Sequence, residues 1–376
     1  MSSQATADHV DLAGLRRDVR AFIRDEMGSL ALRRRCDCWM AGVSPAFSAA
    51  LGARGWVGMT LPAVHGGGGR TSRERLAVSE ELLAAGAPVA AHWFADRQVG
   101  PALVRHGTPE QQERYLPGII AGTTYFAIGM SEPDSGSDLA SVRTTATRVG
   151  GGWSINGRKV WTSHAQFAHH LLALVRTAPR DPTARHGGLS QLIIDLEAPG
   201  VTVRPIMSLD GESHFNEVVL EDVLVPEAAL LGREGAGWSQ VTQELGLERS
   251  GPERFLSTMP LWRAWTESTP LSDPRHGLLL AEVQTLRHMS ARISDGIDRG
   301  ESLAVDTALV KDLGTEFESR VTDHVRRVGG VRPDRDAAEE CARLLAEAVL
   351  HAPDATLRGG TNEILRGIVA RSLRSS

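Results

Sequence analysis

Apolar residues along this chain follow two different periods, and the change between them occurs twice. From about Asp11 to Gly122 they recur every three or four positions, as in LAGLRRDVRAFIRDEM and RERLAVSEELLAAG, the spacing of amphipathic helices. A glycine- and proline-rich loop, GWVGMTLPAVHGGGG, with Trp56, Pro62 and Gly66 to Gly69, interrupts them. HGTPEQQERYL then supplies a helix start, with Thr108 as N-cap, Pro109 at the first position and Gln111 where a capping box needs it. After Thr124 short alternating or β-rich runs take over: VRTTATRV, WSINGRKVWTS, HLLALVRT, SQLIIDLE, VTVRPI and EVVLEDVLVP. Gly150 to Gly152 read as a turn between the first two, and Asn156-Gly157 as a hairpin turn inside the second. From about Gly235 the helical period returns in GWSQVTQELGLERSG, HGLLLAEVQTLRHMSARISDGI, VKDLGTEFESRVTDHVRRV and EECARLLAEAVL, with proline-rich joints near Pro252, Pro260, Pro270 and Pro274.

Helices, then sheet, then helices predict an α+β protein in three parts. These are an N-terminal helical domain over 1–123, a middle β domain over 124–232 and a C-terminal helical domain over 233–376. Closely spaced strands separated by glycine turns imply an antiparallel sheet or small barrel. No GxGxxG follows a strand, so no Rossmann unit is expected.

Composition narrows the function classes. A chain of 376 residues exceeds one hydrophobic core and leaves room for a large buried ligand. With 41% hydrophobic and 23% charged residues it reads as an ordinary globular protein, and a net charge of -5 gives no electrostatic footprint for nucleic acid. Lysine occurs only at Lys159 and Lys311, a bias that reads as codon usage in a GC-rich genome and points to no site. Cys36, Cys38 and Cys341 are too few for a disulfide framework and lack metal-knuckle spacing. The opening MSSQATADHVDL has no basic head before an apolar run, and no apolar stretch approaches the roughly 20 residues of a membrane span. The expectation is a cytoplasmic protein with no membrane partner.

Two stretches carry chemistry. SEPDSGSD, at the change from helix to sheet, combines two serine hydroxyls with close backbone approach at Gly136, and can donate to a ring edge or to phosphate oxygens. Alone it reads equally well as a surface turn. GRKVWTSHA follows about two dozen residues later and puts a large flat hydrophobe before two hydroxyl residues on a strand.

In these two motifs the sequence resembles the acyl-CoA dehydrogenase family, where a loop of the form TEPxxGSD and a strand of the form KxWIT bind FAD. The resemblance continues through GWVGMTLPAVHGGGG, GTPEQQERYLPGI, FNEVVLEDVLVPEAALLG, LGLERSGPERF and GGTNEILRGIVAR. It implies a C-terminal four-helix bundle, and FAD lined by Ile128, Gly129, Met130, Ser131, Gly136 and Ser137, with Ser137 also near the CoA moiety. It further implies Trp161 against the isoalloxazine, with Thr162 beside it and Ser163 at the N5 region. The other half of each FAD site would come from a neighbouring subunit's Arg326, Gly329, Gly330, Thr361 and Glu363.

The reaction this implies removes an α-proton from a thioester while the β-carbon gives hydride to the flavin, so a carboxylate must face the substrate. Many relatives carry that glutamate directly before the Gly-Thr of the C-terminal motif. Here that position is Gly359. A smaller set, acting on isovaleryl and long-chain thioesters, carries it within a sequence like LDLER, and the matching residue here is Glu248 of LGLER. On composition alone Glu248 is a solvated helix glutamate beside Arg249. By position Arg249 would hold the CoA portion, or form an ordinary helix ion pair. Gly359 keeps the backbone N–H that, in the family, polarises the thioester carbonyl, with Gly360 beside it.

The resemblance weakens on the adenine half. LSDPRHGLLLAEVQTLRHM lacks the family's RxxFG, and QxFGGxGY is reduced to RRVGGVRP. Drift accounts for this, as does a subunit sharing FAD with a different partner chain. The leading expectation is an FAD-dependent dehydrogenase of acyl-CoA or acyl-carrier-protein thioesters. It would pass electrons to an electron-transfer flavoprotein or similar acceptor and work as a homodimer or homotetramer, with a heterotetramer open. An oxidase or monooxygenase of the same fold and a non-catalytic, FAD-sharing subunit are the alternatives.

Overall fold

The computed structural model describes residues 11–249, 251–268, 273–328 and 330–375, without the side chains of residues 247, 248, 268 and 375. Helices α1 (Leu12–Ser29), α2 (Cys38–Ala41), α3 (Pro45–Ala53), α4 (Ser72–Ala84), α5 (Ala90–Phe94), α6 (Gly100–His106) and α7 (Pro109–Ile120) precede the sheet. Its strands are β1 (Phe126–Gly129), β2 (Thr145–Val149), β3 (Gly152–Ser163), β4 (His170–Arg176), β5 (Leu189–Asp195), β6 (Val201–Ile206), β7 (Phe215–Pro226) and β8 (Leu230–Leu231). Helices α8 (Gly237–Arg249), α9 (Met259–Ser268), α10 (Pro274–Asp298), α11 (Ala304–Val328), α12 (Glu340–Ala355) and α13 (Asn362–Ser375) follow. No helix among the described residues is long and apolar enough to cross a membrane.

The two helical parts share one core. Val19, Phe47 and Leu83 of the first pack in the same cluster as Phe255, Trp265, Phe317 and Leu344 of the second. Burial of each such side chain is worth about 1.5–3 kcal/mol, so the helical parts do not separate without exposing a common interior. The sheet buries its own cluster, with Trp153, Ile155, Leu171, Leu192 and Val218 at its centre.

The start of α7 follows the capping pattern in the sequence: Thr108 and Gln111 form a reciprocal box. Gln111 does more than cap. Its Nε2 donates to the Ala228 and Leu230 carbonyls at 2.8 and 3.0 Å, pinning the helix to the sheet's β8 edge. Thr108→Ala is expected to cost about 1 kcal/mol. Gln111→Ala, which removes both bonds to the sheet as well as half of the capping box, should cost about 2–3 kcal/mol. Urea unfolding would rank the two.

Strand order is β6-β7-β3-β2-β4-β5-β8, with β1 pairing β4. Two features depart from the sequence reading. Asn156-Gly157 is not a hairpin turn: β3 runs straight through it, and the ladder to β7 absorbs the irregularity as a register shift between Ile155 and Gly157. Gly157 lies against Thr144, where an added Cβ would come within 2.4 Å of Oγ1, while Asn156 exchanges hydrogen bonds with Asp222 across the ladder. Tertiary packing therefore overrides a local turn signal. The sheet is also not purely antiparallel, because β1 lies parallel to β4. Gly150 and Gly151 do make the β2–β3 turn, with Gly151 at φ 86°.

Candidate active site

The serine- and glycine-rich loop and the tryptophan strand meet near the C-terminal end of β3. Val160 N–H donates to the Ser131 carbonyl at 2.9 Å. Below that contact is a buried ion pair, Lys159 Nζ to Glu132 Oε1 at 2.8 Å, with side-chain exposures of 0% and 7%. The same ammonium donates to the Met130 carbonyl at 3.2 Å. The Glu132 carboxylate also accepts the Arg143 and Thr144 N–H groups, at 2.6 and 2.9 Å. Burial works against the Glu132 charge, yet Lys159 and these donors hold its carboxyl below the usual range. The Glu132–Ser135 turn then closes with two backbone bonds, leaving Gly136, Ser137 and Asp138 exposed beyond it.

Strand β3 changes character at Trp161. The ladder shifts register between Lys159 and Thr162, and Trp161 takes φ 59° although it is not glycine. That conformation is costly for an L residue and turns the side chain outward. The indole is 59% exposed and meets Phe215 edge-on at 5.9 Å. Thr162 is buried beside it, with Oγ1 unpaired among the described residues, and Ser163 is half-buried. Above Gly136 nothing lies within 4 Å of where a Cβ would be. Ile128 and Met130 are half-buried and Gly129 buried on the approach from β1.

At the C-terminal motif, Gly359 and Gly360 take φ 68° and 94°, so the turn before α13 is open to glycine at both positions. Arg249 at the end of α8 donates its Nε to the Gly359 carbonyl at 2.9 Å. This side chain therefore joins α8 to the glycine turn; no contact of this kind was expected of it. Glu248 lies within α8, but its side chain is outside the described residues, as is Gly329. Thr361 is half-buried and its Oγ1 accepts the Ile364 N–H at 3.4 Å, while Glu363 is exposed. Arg326 and Gly330 are exposed, Arg326 pairing with Asp323 at 2.9 Å.

The two lysines were missed as functional positions, and both prove to be fully buried. Lys159 fastens the loop to the strand. Lys311 donates to Asn362 Oδ1 at 2.8 Å and to the Thr356 carbonyl at 3.3 Å, fixing the glycine turn. In a chain that otherwise uses arginine, the two retained lysines were the available signal: a compact ammonium fits where a guanidinium does not.

An exposed indole lies beside a serine- and glycine-rich loop in a helix–sheet–helix fold, an arrangement that can offer a stacking face and polar groups to a ligand. Models of the acyl-CoA dehydrogenase N-terminal domain and middle domain match residues 11–123 and 127–223. Acyl-CoA dehydrogenase IpdE1 of Mycolicibacterium smegmatis is 34% identical over 343 residues, covering 85% of each chain. Among solved structures, the Tcur3481-Tcur3483 steroid ACAD aligns with a TM-score of 0.85 at 28% identity, over 97% of both chains. The ChsE4-ChsE5 complex from Mycobacterium tuberculosis aligns at 0.81 and 27%, covering 100% of this chain and 99% of that one. The chain belongs to the acyl-CoA dehydrogenase family, and is an enzyme of that class.

Proposed function

We propose that this protein is an FAD-dependent dehydrogenase that forms an α,β double bond in an acyl thioester of CoA or an acyl carrier. The observation carrying this reading is the outward indole of Trp161, held in a left-handed conformation beside a loop whose Ser131, Gly136 and Ser137 remain available to a ligand. The residues fit FAD: Trp161 would lie against the isoalloxazine, Thr162 and Ser163 would supply hydroxyls, and Gly136 and Ser137 would meet the pyrophosphate. When bound, FAD accepts the hydride that leaves the substrate β-carbon.

The chain's own residues do the rest. Glu248 takes the α-proton, and the Gly359 N–H polarises the thioester carbonyl so that the proton becomes acidic. Arg249 secures the backbone of that donor through the Gly359 carbonyl. Arg326, Gly329, Gly330, Thr361 and Glu363 complete the FAD site of a neighbouring subunit, and an electron-transfer flavoprotein or a similar acceptor reoxidises the enzyme. The likeness to two proteins with paired names, one called a steroid enzyme, supports a steroid-derived acyl group and an assembly of two kinds of subunit. The test is anaerobic mixing of FAD-loaded protein with a panel of acyl-CoA thioesters, steroid-derived ones included. Bleaching of the flavin by at least one thioester is the expected result. A loaded protein that no thioester bleaches would sink the proposal, and rapid reoxidation by oxygen with product bound would mark an oxidase instead.

A further inference from the structure

A chain of buried charged groups runs from the indole platform to the glycine turn. The loop between β6 and β7 carries Asp210 and His214, and its next residue, Phe215, packs on Trp161. Asp210 Oδ2 lies 2.8 Å from His214 Nε2 and 2.9 Å from Nε2 of His351, on α12. The other His351 nitrogen, Nδ1, makes no hydrogen bond among the described residues and faces Asp37 Oδ2 at 3.6 Å, a charge contact only. Asp37 Oδ1 in turn is 2.8 Å from Arg358, which lies over Trp39 at 4.7 Å and directly precedes Gly359. Side-chain exposure is at most 10% at Asp210, His214, His351, Asp37 and Arg358.

We propose that His351 is a positioning residue for the reaction: bonded to Asp210 and facing Asp37, it holds Asp37 toward Arg358 and thereby sets the direction of the Gly359 N–H that meets the thioester carbonyl. This rests on the function proposed above. His351 is held from three sides, by the sheet loop, by the residue before α2 and by its own helix. Arg358, which also approaches Glu318 and Asp354, has Asp37 as its shortest ion-pair contact. Gly359 is thus held on both sides, its N–H peptide unit following the anchored Arg358 and its carbonyl accepting from Arg249 of α8.

The charges agree with this geometry. Burial pulls the His351 imidazole down, but the Asp210 hydrogen bond and the Asp37, Asp210 and Asp354 charges outweigh it and raise it above its ordinary value. Facing it are the Asp37, Asp210 and Asp354 carboxylates, with the His214 ring edge-on at 5.6 Å. A metal is the competing account, since ligand atoms of Asp210, His214 and His351 lie within 4.8 Å of one another. Both imidazoles, however, meet one Asp210 oxygen at hydrogen-bond length. Zinc ligands bound at about 2.0–2.1 Å would stand roughly 3.3 Å apart.

The test uses FAD-loaded full-length protein with His351→Gln and Asp37→Asn, the second keeping shape while removing charge. Two readouts separate positioning from folding: the flavin reduction rate at saturating against half-saturating thioester, and the red shift of a bound aryl-acryloyl thioester, which reports carbonyl polarisation. Both variants should retain FAD and lose roughly 10- to 100-fold in rate at saturation, with the half-saturating concentration little changed and the red shift diminished. Variants with a wild-type rate and red shift would overturn the inference. So would losses that merely track lost FAD, or stoichiometric zinc in the wild-type protein. If the wild type itself is bleached by no thioester, the proposed function has failed and the inference falls with it, a result distinct from the others.

Discussion

Glu248→Gln is expected to slow thioester-dependent flavin reduction by about 10²–10⁴-fold, the usual worth of a positioned general base, while FAD content and unfolding stay as in the wild type. Glutamine keeps the length and hydrogen-bonding shape of the side chain and removes only its capacity to take a proton. Two structural facts direct attention to this end of α8. Position 359, where many relatives carry the base, is a glycine at φ 68° here, and Arg249, the residue after Glu248, reaches the Gly359 carbonyl at 2.9 Å. The last turn of α8 and the glycine turn are therefore neighbours. Two nearby carboxylates serve as internal controls. Glu244 is buried one turn earlier and accepts from Gln191 Nε2 at 2.8 Å, and Glu253 faces Arg97 at 3.4 Å. Glu244→Gln should leave the reduction rate within about threefold, because its carboxylate serves packing of α8 on β5. Stopped-flow absorbance under anaerobic conditions reads both. A Glu248→Gln enzyme that still bleaches at near wild-type rate would move the base elsewhere.

What could be read from the sequence and what could not divides along physical lines. Periodicity is a local property, so the helix, sheet, helix order and the Thr108 capping box emerge directly from it. The serine- and glycine-rich loop and the tryptophan strand could be picked out because each is a short contiguous motif, and the structure brings the two together. Asn156-Gly157 misled for the same reason: its turn preference is local, while the packing of Gly157 against Thr144 that keeps β3 continuous comes from a separate segment. Parallel pairing of β1 with β4 joins residues more than 40 positions apart, and no local pattern encodes it. The left-handed conformation of Trp161 was equally hidden, since nothing in the local sequence favours it there. The buried polar contacts are the clearest case. His351 meets Asp210 across 141 positions and Lys311 meets Asn362 across 51, so each residue alone looks like an ordinary helix side chain. Arg358 is hidden in the same way, because its partner Asp37 belongs to the far end of the chain.

Lys159→Met should destabilise the protein by about 3–5 kcal/mol, the cost of leaving a buried carboxylate without its partner. Methionine fills the volume of the lysine stem, so little of that loss would come from a cavity. What remains is Glu132, buried and, among the described residues, bonded through its carboxylate to the Arg143 and Thr144 N–H groups. The functional consequence separates this pair from an ordinary structural ion pair. The Lys159 ammonium also donates to the Met130 carbonyl, so its removal frees the backbone of the serine- and glycine-rich loop on both sides of Ser131. Removing both charges, as Lys159→Met with Glu132→Leu, should recover much of the stability, because a well-packed apolar pair is often no worse than a buried ion pair. It should not recover the loop, because the apolar pair has no donor for the Met130 carbonyl and no acceptor for the Arg143 and Thr144 N–H groups. Denaturant unfolding of both variants, read beside their FAD content, tests the point. A double variant that regains stability while still releasing FAD shows that the pair holds the loop for the cofactor. One that regains both reduces the pair to a stabilising contact.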